Sequence, residues 1–138
     1  MIIPEEFIKR GIGIKGVVHI GSNDCEEITR YFDLGIDNVI CFDPLPKAAA
    51  FALNRFNADP RVVVIPLAFG ARNSYHWLTS TSGHGQQSTF LPVLDAKTAY
   101  GEYKPEYRIL VHVARFDDFM HRAPTELCKR ILACDCLV

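Results

Sequence analysis

The chain has 138 residues, 49% of them apolar and 22% charged, the size and composition of one folded domain with a sizeable core. Fifteen basic residues against sixteen acidic ones leave a formal net charge of −1, no field to steer nucleic acid or an anionic membrane. The opening MIIPEEFIKRG lacks the basic-then-apolar order of a signal peptide, and the most apolar run, Val62 to Phe69, is too short for a membrane span, so a cytoplasmic chain is expected.

No repeat, low-complexity tract or linker divides residues 1–138, which read as a single domain. Met1 to Lys15 reads as a short helix followed by a glycine-punctuated approach. Val17 to Ile20 is a strand, apolar apart from His19, which reads as a core histidine. Asn23 or Asp24 can cap the next helix, and Asp24 with Glu27 has capping-box spacing. Ile28, Tyr31 and Phe32 fall on one helical face, and Gly35 suits its stop. Asn38 to Phe42 is the second strand. Lys47 to Phe56 is helical with Ala49, Ala52, Leu53 and Phe56 inward, NADP at 57–60 is a turn, and Val62 to Ile65 is a third buried strand. The strand runs are continuous rather than alternating, which argues for a parallel sheet covered on both faces.

Beyond this the pattern changes. Tyr75 to Thr79, Ser88 to Val93 and Ile109 to Ala114 read as strands of an antiparallel hairpin or ribbon with a long surface loop, in which Tyr100, Tyr103 and Tyr107 are expected to pack rather than stack on a sugar. RFDDFMHRA reads as a short helix with capping aspartates, and RILACDCLV as a final buried strand returning beside the first, giving the order 3-2-1-4 with a switch point between first and fourth. The far edge of that fourth strand has no cover, so either the protein continues or a homodimer forms through the exposed edge. The five cysteines, at 25, 41, 128, 134 and 136, offer no second pair with Cys-x-x-Cys spacing, and buried reduced thiols are expected rather than a metal site. Cys134 and Cys136 alternate, so a strand there points both to one side and Asp135 to the other.

Ligands of open parallel sheets bind beyond the carboxyl ends of the strands, at the switch point. GSND, Gly21 to Asp24, lies at that end of the first strand, and Asp43 ends the second, where a carboxylate can accept both hydroxyl hydrogens of a ribose. An adenosine-type ligand fits this layout. A dinucleotide needs G-x-G-x-x-G, whereas Gly21 to Glu26 holds one glycine and several acids where a pyrophosphate belongs. A cationic sulfonium with an amino-acid tail tolerates those acids, so S-adenosylmethionine is favoured over NAD.

These residues resemble a family, the FkbM-type S-adenosylmethionine-dependent methyltransferases, over about residues 15–138. VVHIGSNDCEEI is similar to the family's I-D/H-x-G-A-N-x-G opening and VICFDPLP to its F-E-P-N-P. SGHGQQSTFL, VHVARFDDF and ILACDCLV are similar to its N-G-Q-S-S-S-L, V-x-T-L-D-D-F and L-L-K-I-D-V-E-G stretches, in the same order. The resemblance implies an α/β fold, a Rossmann-like three-layer sandwich with a mostly parallel sheet, truncated at its carboxyl end and carrying a hairpin or loop insertion before the last strand. It implies that Gly21, Ser22 and Asn23 line the cofactor, that Asp43 binds the ribose, and that adenine rests on Leu67-Ala68-Phe69. Asp135 then faces the methionine end or the substrate. The implied reaction is methyl transfer to a hydroxyl of a sugar, glycan or natural product, a small-molecule or glycan acceptor.

Such a transfer needs a group to take the acceptor's proton. Asp135 is the first candidate for this base and His84, between two glycines, the second. Plainer roles stand beside these: a strand-end turn for Asp43, capping for Asp24, an exposed loop histidine for His84, a satisfied polar residue for Asp135, and hairpin capping for Gln87 and Ser88 instead of substrate contact. The chain also departs from the family pattern. Cys25 replaces the motif's second glycine, His19 stands where an acid is common, and Val138 precedes the Glu-Gly and the strands that help build the acceptor side. A non-catalytic nucleoside-binding remnant or interaction module is therefore the alternative, with a nicotinamide-dependent oxidoreductase as the third reading.

Overall fold

The structure, a computed structural model, describes residues 4–81, 88–91, 97–98, 101–102 and 104–138. In chain order its elements are α1 (Pro4–Lys9), β1 (Val17–Ile20), α2 (Ile28–Asp33), β2 (Val39–Phe42), α3 (Pro46–Phe56), β3 (Val62–Ile65), β4 (Ala68–Phe69), β5 (Ser74–Thr81), β6 (Lys97–Thr98), β7 (Gly101–Glu102), β8 (Pro105–Ala114), α4 (Phe116–Arg122), α5 (Thr125–Leu132) and β9 (Cys136–Leu137). Among the described residues no helix is long and apolar enough to cross a membrane.

The continuous apolar runs build a four-stranded sheet of order β3-β2-β1-β9, every pair parallel. Such runs are what a sheet buried on both faces requires, and both faces are packed. On one, Val17, Val39 and Cys41 meet Ile28 and Tyr31 of α2 and Ala52 of α3. On the other, Val18, Ile40 and Phe42 meet Ile131 of α5 and Phe119 of α4, together with Leu67. Phe42, Phe69 and Phe119 pack edge to face, at centroid separations of 4.8 to 5.6 Å.

A second, mixed sheet has the order β4-β8-β5. β8 runs antiparallel along β5, with a register shift at Ser80/Thr81, and pairs in parallel with β4. Leu78 and Val111 of this sheet pack on Leu45 and Ala48 at the start of α3, which brings the ribbon over the tip of β2. β6 and β7 form a separate two-stranded ribbon.

The fourth parallel strand takes its expected place beside β1, but most of the stretch assigned to it is helix. Thr125 to Leu132 form α5, whose Leu127 and Ile131 reach the sheet while Leu132 is exposed, and β9 keeps only Cys136 and Leu137. Cys134 and Cys136 do not share a face: Cys134 packs in the α4–α5 cluster and Cys136 in the α2–α3 cluster. β3 is the half-buried edge of the sheet rather than a buried strand. Leu53 of α3 points outward, and Ala48 takes a buried place instead. α2 begins only at Ile28, with Glu27 at the cap position and no side-chain cap bond, so neither Asn23 nor Asp24 caps it. Asp117 and Asp118 sit in the first turn of α4 rather than at its cap; Asp117 pairs with Arg115, and Asp118 accepts from Asn73. Of Ser88 to Val93, the described part joins β5 through one bridge, Thr89 to Thr79.

Candidate functional site

β1 stops at Gly21, whose φ of +80° reverses the chain in a conformation that costs other residues about 1–2 kcal/mol. The Gly21 and Ser22 N–H groups both donate to the Phe42 carbonyl, at 2.8 and 3.2 Å, locking this turn to the last residue of β2. Asn23 and Cys25 follow with φ of +48° and +59°, so the loop holds three left-handed residues in five. The strain is not free-standing. Asp43, one residue past β2, accepts the Asn23 N–H on Oδ2 and the Leu45 N–H on Oδ1, each at 2.8 Å. The second bond is the turn role expected of an aspartate before proline; the first ties the two strand tips together.

Asp43 is only 6% exposed. Burial pushes its carboxyl above the ordinary range, and the two N–H bonds and the nearby His19 pull it back. A carboxylate offers four lone-pair sites and two are occupied, so two remain for a ligand's hydroxyls. The charge of Asp24 also bears on Asp43, and those of Glu27 and Asp43 on His19, which gives the loop an acidic character.

These elements frame a cleft of about 240 Å³, lined by Gly21, Asn23, Asp43, Leu45, Ala68 and Phe69 among others. Asn23 Oδ1 is shut off from water and has no hydrogen-bond partner among the described residues. Of the expected site residues, Gly21, Asn23, Asp43 and Ala68 therefore converge on one cavity. Leu67, Leu78, Ser88 and Phe90 line it too. Leu78 and Phe90 were not legible as site residues, because Leu78 arrives from the second sheet and Phe90 from the segment bridged to its edge; their only sequence signal was the alternation of β5 and the apolar pair Phe90-Leu91.

Two expected residues are placed elsewhere. Ser22 is buried and turned inward, its hydroxyl 3.4 Å from the Phe42 carbonyl and 3.4 Å from Cys25 Sγ. Asp135 lies before β9, where Oδ1 accepts the Lys15 and Gly16 N–H groups at 2.9 and 3.3 Å. Those groups precede β1, so Asp135 clasps the amino end of the sheet, opposite to the cleft, and these bonds depress its carboxyl. It does not reach the site as a base. His84 and Gln87 lie outside the described residues. His19 is a core histidine as expected, 3.0 Å from the Tyr31 hydroxyl.

Cys25, at the position of the resembled motif's second glycine, keeps a glycine-favouring backbone while its side chain is fully buried among Val17, Ile28 and Cys41 rather than in the cleft. Among the described residues no cluster of histidine, cysteine or carboxylate side chains could hold a metal ion. The chain matches no protein-family model, no curated protein and no solved structure.

Proposed function

We propose that the chain is a Rossmann-like, three-layer S-adenosylmethionine-binding domain of an O-methyltransferase, with a hydroxyl of a small molecule, sugar or glycan as acceptor. One observation carries the reading: Gly21 and Asn23 after β1, Asp43 after the adjacent parallel β2, and Ala68 at the start of β4 line a single cleft. Its volume of about 240 Å³ falls just below the range of roughly 300–1,000 Å³ for drug-sized ligands, a scale that suits a nucleoside. Asp43 would take the ribose hydroxyls on its free lone pairs, and Leu45 and Phe69 would flank the base. The acids of the loop favour a sulfonium cation over a pyrophosphate. Bound S-adenosylmethionine supplies an activated methyl group; the chain's own residues bind and orient it.

Calorimetric titration with S-adenosylhomocysteine and with NAD tests the proposal. Binding of the first in the micromolar range with no NAD response is expected; NAD binding without a response to S-adenosylhomocysteine refutes it.

A second reading rests on a specific observation. Asp43 is the one ionisable side chain lining the cleft among the described residues, and Asp135 is at the far end of the sheet. A nucleoside-binding module without a transfer activity would have this composition. Ligand binding without methylation of any hydroxyl acceptor by the full chain favours this reading.

A further inference from the structure

While Leu78 and Val111 face the core, the opposite face of the β5–β8 ribbon is exposed among the described residues. Tyr75, Trp77 and Thr79 pair across it with His112, Leu110 and Arg108. Trp77 is 53% exposed, and the Arg108 guanidinium stands 5.5 Å from its ring centroid. Where Phe90 and Leu91 follow the antiparallel bridge from Thr89 to Thr79 of β5, Trp77, Thr79, Phe90, Glu106, Tyr107 and Arg108 line a groove of about 560 Å³.

We propose that this groove is a saccharide-binding site. Its lining combines the three kinds of group a neutral sugar ring requires. The aromatic side chains offer flat apolar surface to the C–H face of a pyranose while leaving a polar tip in water. Arg108 brings a planar fork of donors, and Glu106, two residues away on the same strand face, brings a pair of acceptors; together they match vicinal hydroxyls, and hydrogen bonds with one ionised partner are the strong ones. The Thr79 hydroxyl can donate or accept.

The same lining disfavours other occupants. Among the described residues one cation and one anion line the groove and cancel, which gives no electropositive track for a nucleic-acid backbone. An apolar peptide segment would desolvate Glu106 and Arg108 without giving them partners, which is costly. Phe90, beside the edge of the ribbon, lines both this groove and the cleft at the strand tips. Sugar binding here does not depend on the chemistry in the cleft.

Trp77 is the chain's single tryptophan, so fluorescence excited selectively in tryptophan reports on this groove. The full chain is titrated with maltohexaose, cellohexaose, laminarihexaose and chitohexaose up to about 10 mM, which covers the weak affinities expected of an open site. A saturable change with at least one of them is expected. Arg108→Ala and Glu106→Gln should each weaken it by about tenfold or more, the scale of one hydrogen bond to a charged group, with the thermal midpoint unchanged. No saturable response to any of the four overturns the proposal. So does a stronger response to oligodeoxyadenylate or to a proline-rich peptide. S-adenosylhomocysteine titrated calorimetrically into the same protein separates the two readings: its binding without a saccharide response removes the groove, and a saccharide response without its binding removes the cofactor.

Discussion

Replacing Asp43 with alanine removes the acceptor of two backbone N–H groups at once, that of left-handed Asn23 and that of Leu45. Each orphaned donor costs about 1–3 kcal/mol where water cannot replace the bond, a gross loss of about 2–6 kcal/mol. An opposing term comes from the buried charge itself. Burial raises the Asp43 carboxyl, so the fold holds its proton more tightly than the unfolded chain does. The stability this adds is complete below the ordinary value of 3.8 and is lost as pH rises through the folded pKa, so at neutral pH the ionised group is a net electrostatic burden. Removing it offsets part of that loss, so Asp43→Ala should cost about 2–4 kcal/mol at pH 7, a large share of the 5–15 kcal/mol typical of a domain. Urea unfolding followed by circular dichroism measures it; with a slope near 2 kcal/mol/M the midpoint should fall by about 1–2 M. Asp43→Asn keeps one acceptor but turns its amide donors toward a backbone donor, and should recover less than half of the loss. A shift below about 0.5 kcal/mol for Asp43→Ala would show that the strand-tip clasp does not hold the loop.

Two glycines should respond differently to alanine. At Gly21 a Cβ meets open space at φ +80°, so Gly21→Ala should cost only the backbone term of about 1–2 kcal/mol and weaken nucleoside binding, whereas at Gly16 a Cβ would lie 2.9 Å from both the Asn38 carbonyl and Cys134 Sγ, so Gly16→Ala should cost about 1–3 kcal/mol by overpacking and leave binding intact. Equal binding losses would contradict the placement of the cleft; the readouts are urea midpoints and calorimetry. Burial holds His19 below its ordinary 6.5, so the folded chain keeps it neutral and the unfolded chain charges it first: stability should be full above 6.5 and decline as pH falls through that value, and His19→Gln should flatten this part of the profile in denaturant titrations. Cys25→Gly relieves a left-handed residue by about 1 kcal/mol and deletes a buried side chain worth a similar amount, so the urea midpoint should move by less than the equivalent of about 1 kcal/mol, and a loss above about 3 kcal/mol would show that packing alone fixes this position.

The parallel core was legible because burial on both faces leaves continuous runs such as Val39 to Phe42 with little else to be. The end of the chain was misread for a related reason. Leu127 and Ile131 are spaced as a helical stripe, but the adjoining Leu132 and the following cysteines make ILACDCLV look like an unbroken strand, and periodicity cannot resolve so short an apolar run. One error then carried another. With β9 reduced to Cys136 and Leu137, Val17 pairs with Cys136, and Asp135 falls before the strand instead of at its tip. The glycine turn and the Asp-Pro pair were legible because their chemistry is local to each strand end. Leu78 and Phe90 were not, since their place in the cleft depends on how β5 and β8 pack over Leu45, a contact between segments distant in sequence.

Because Asp43 both clasps the loop and faces the cleft, loss of binding in an Asp43 variant does not by itself demonstrate a ribose contact: a collapsed loop would give the same result. The decisive comparison changes the ligand and leaves the protein intact. With the clasp undisturbed, S-adenosylhomocysteine and its 2′-deoxy and 3′-deoxy analogues differ only in the hydroxyls offered to the two free lone-pair sites. If the carboxylate receives those hydroxyls, each deletion removes a hydrogen bond to a charged group, worth about 1.5–3 kcal/mol, or roughly 10- to 150-fold in affinity. The loss should shrink as pH falls and Asp43 takes up its proton, since a protonated carboxyl accepts more weakly. Because burial sets that titration above the ordinary 3.8, the fading should begin at a higher pH than for an exposed aspartate. Analogues that bind within about twofold of the parent would leave Asp43 as a loop clasp alone and remove the ribose from the proposal.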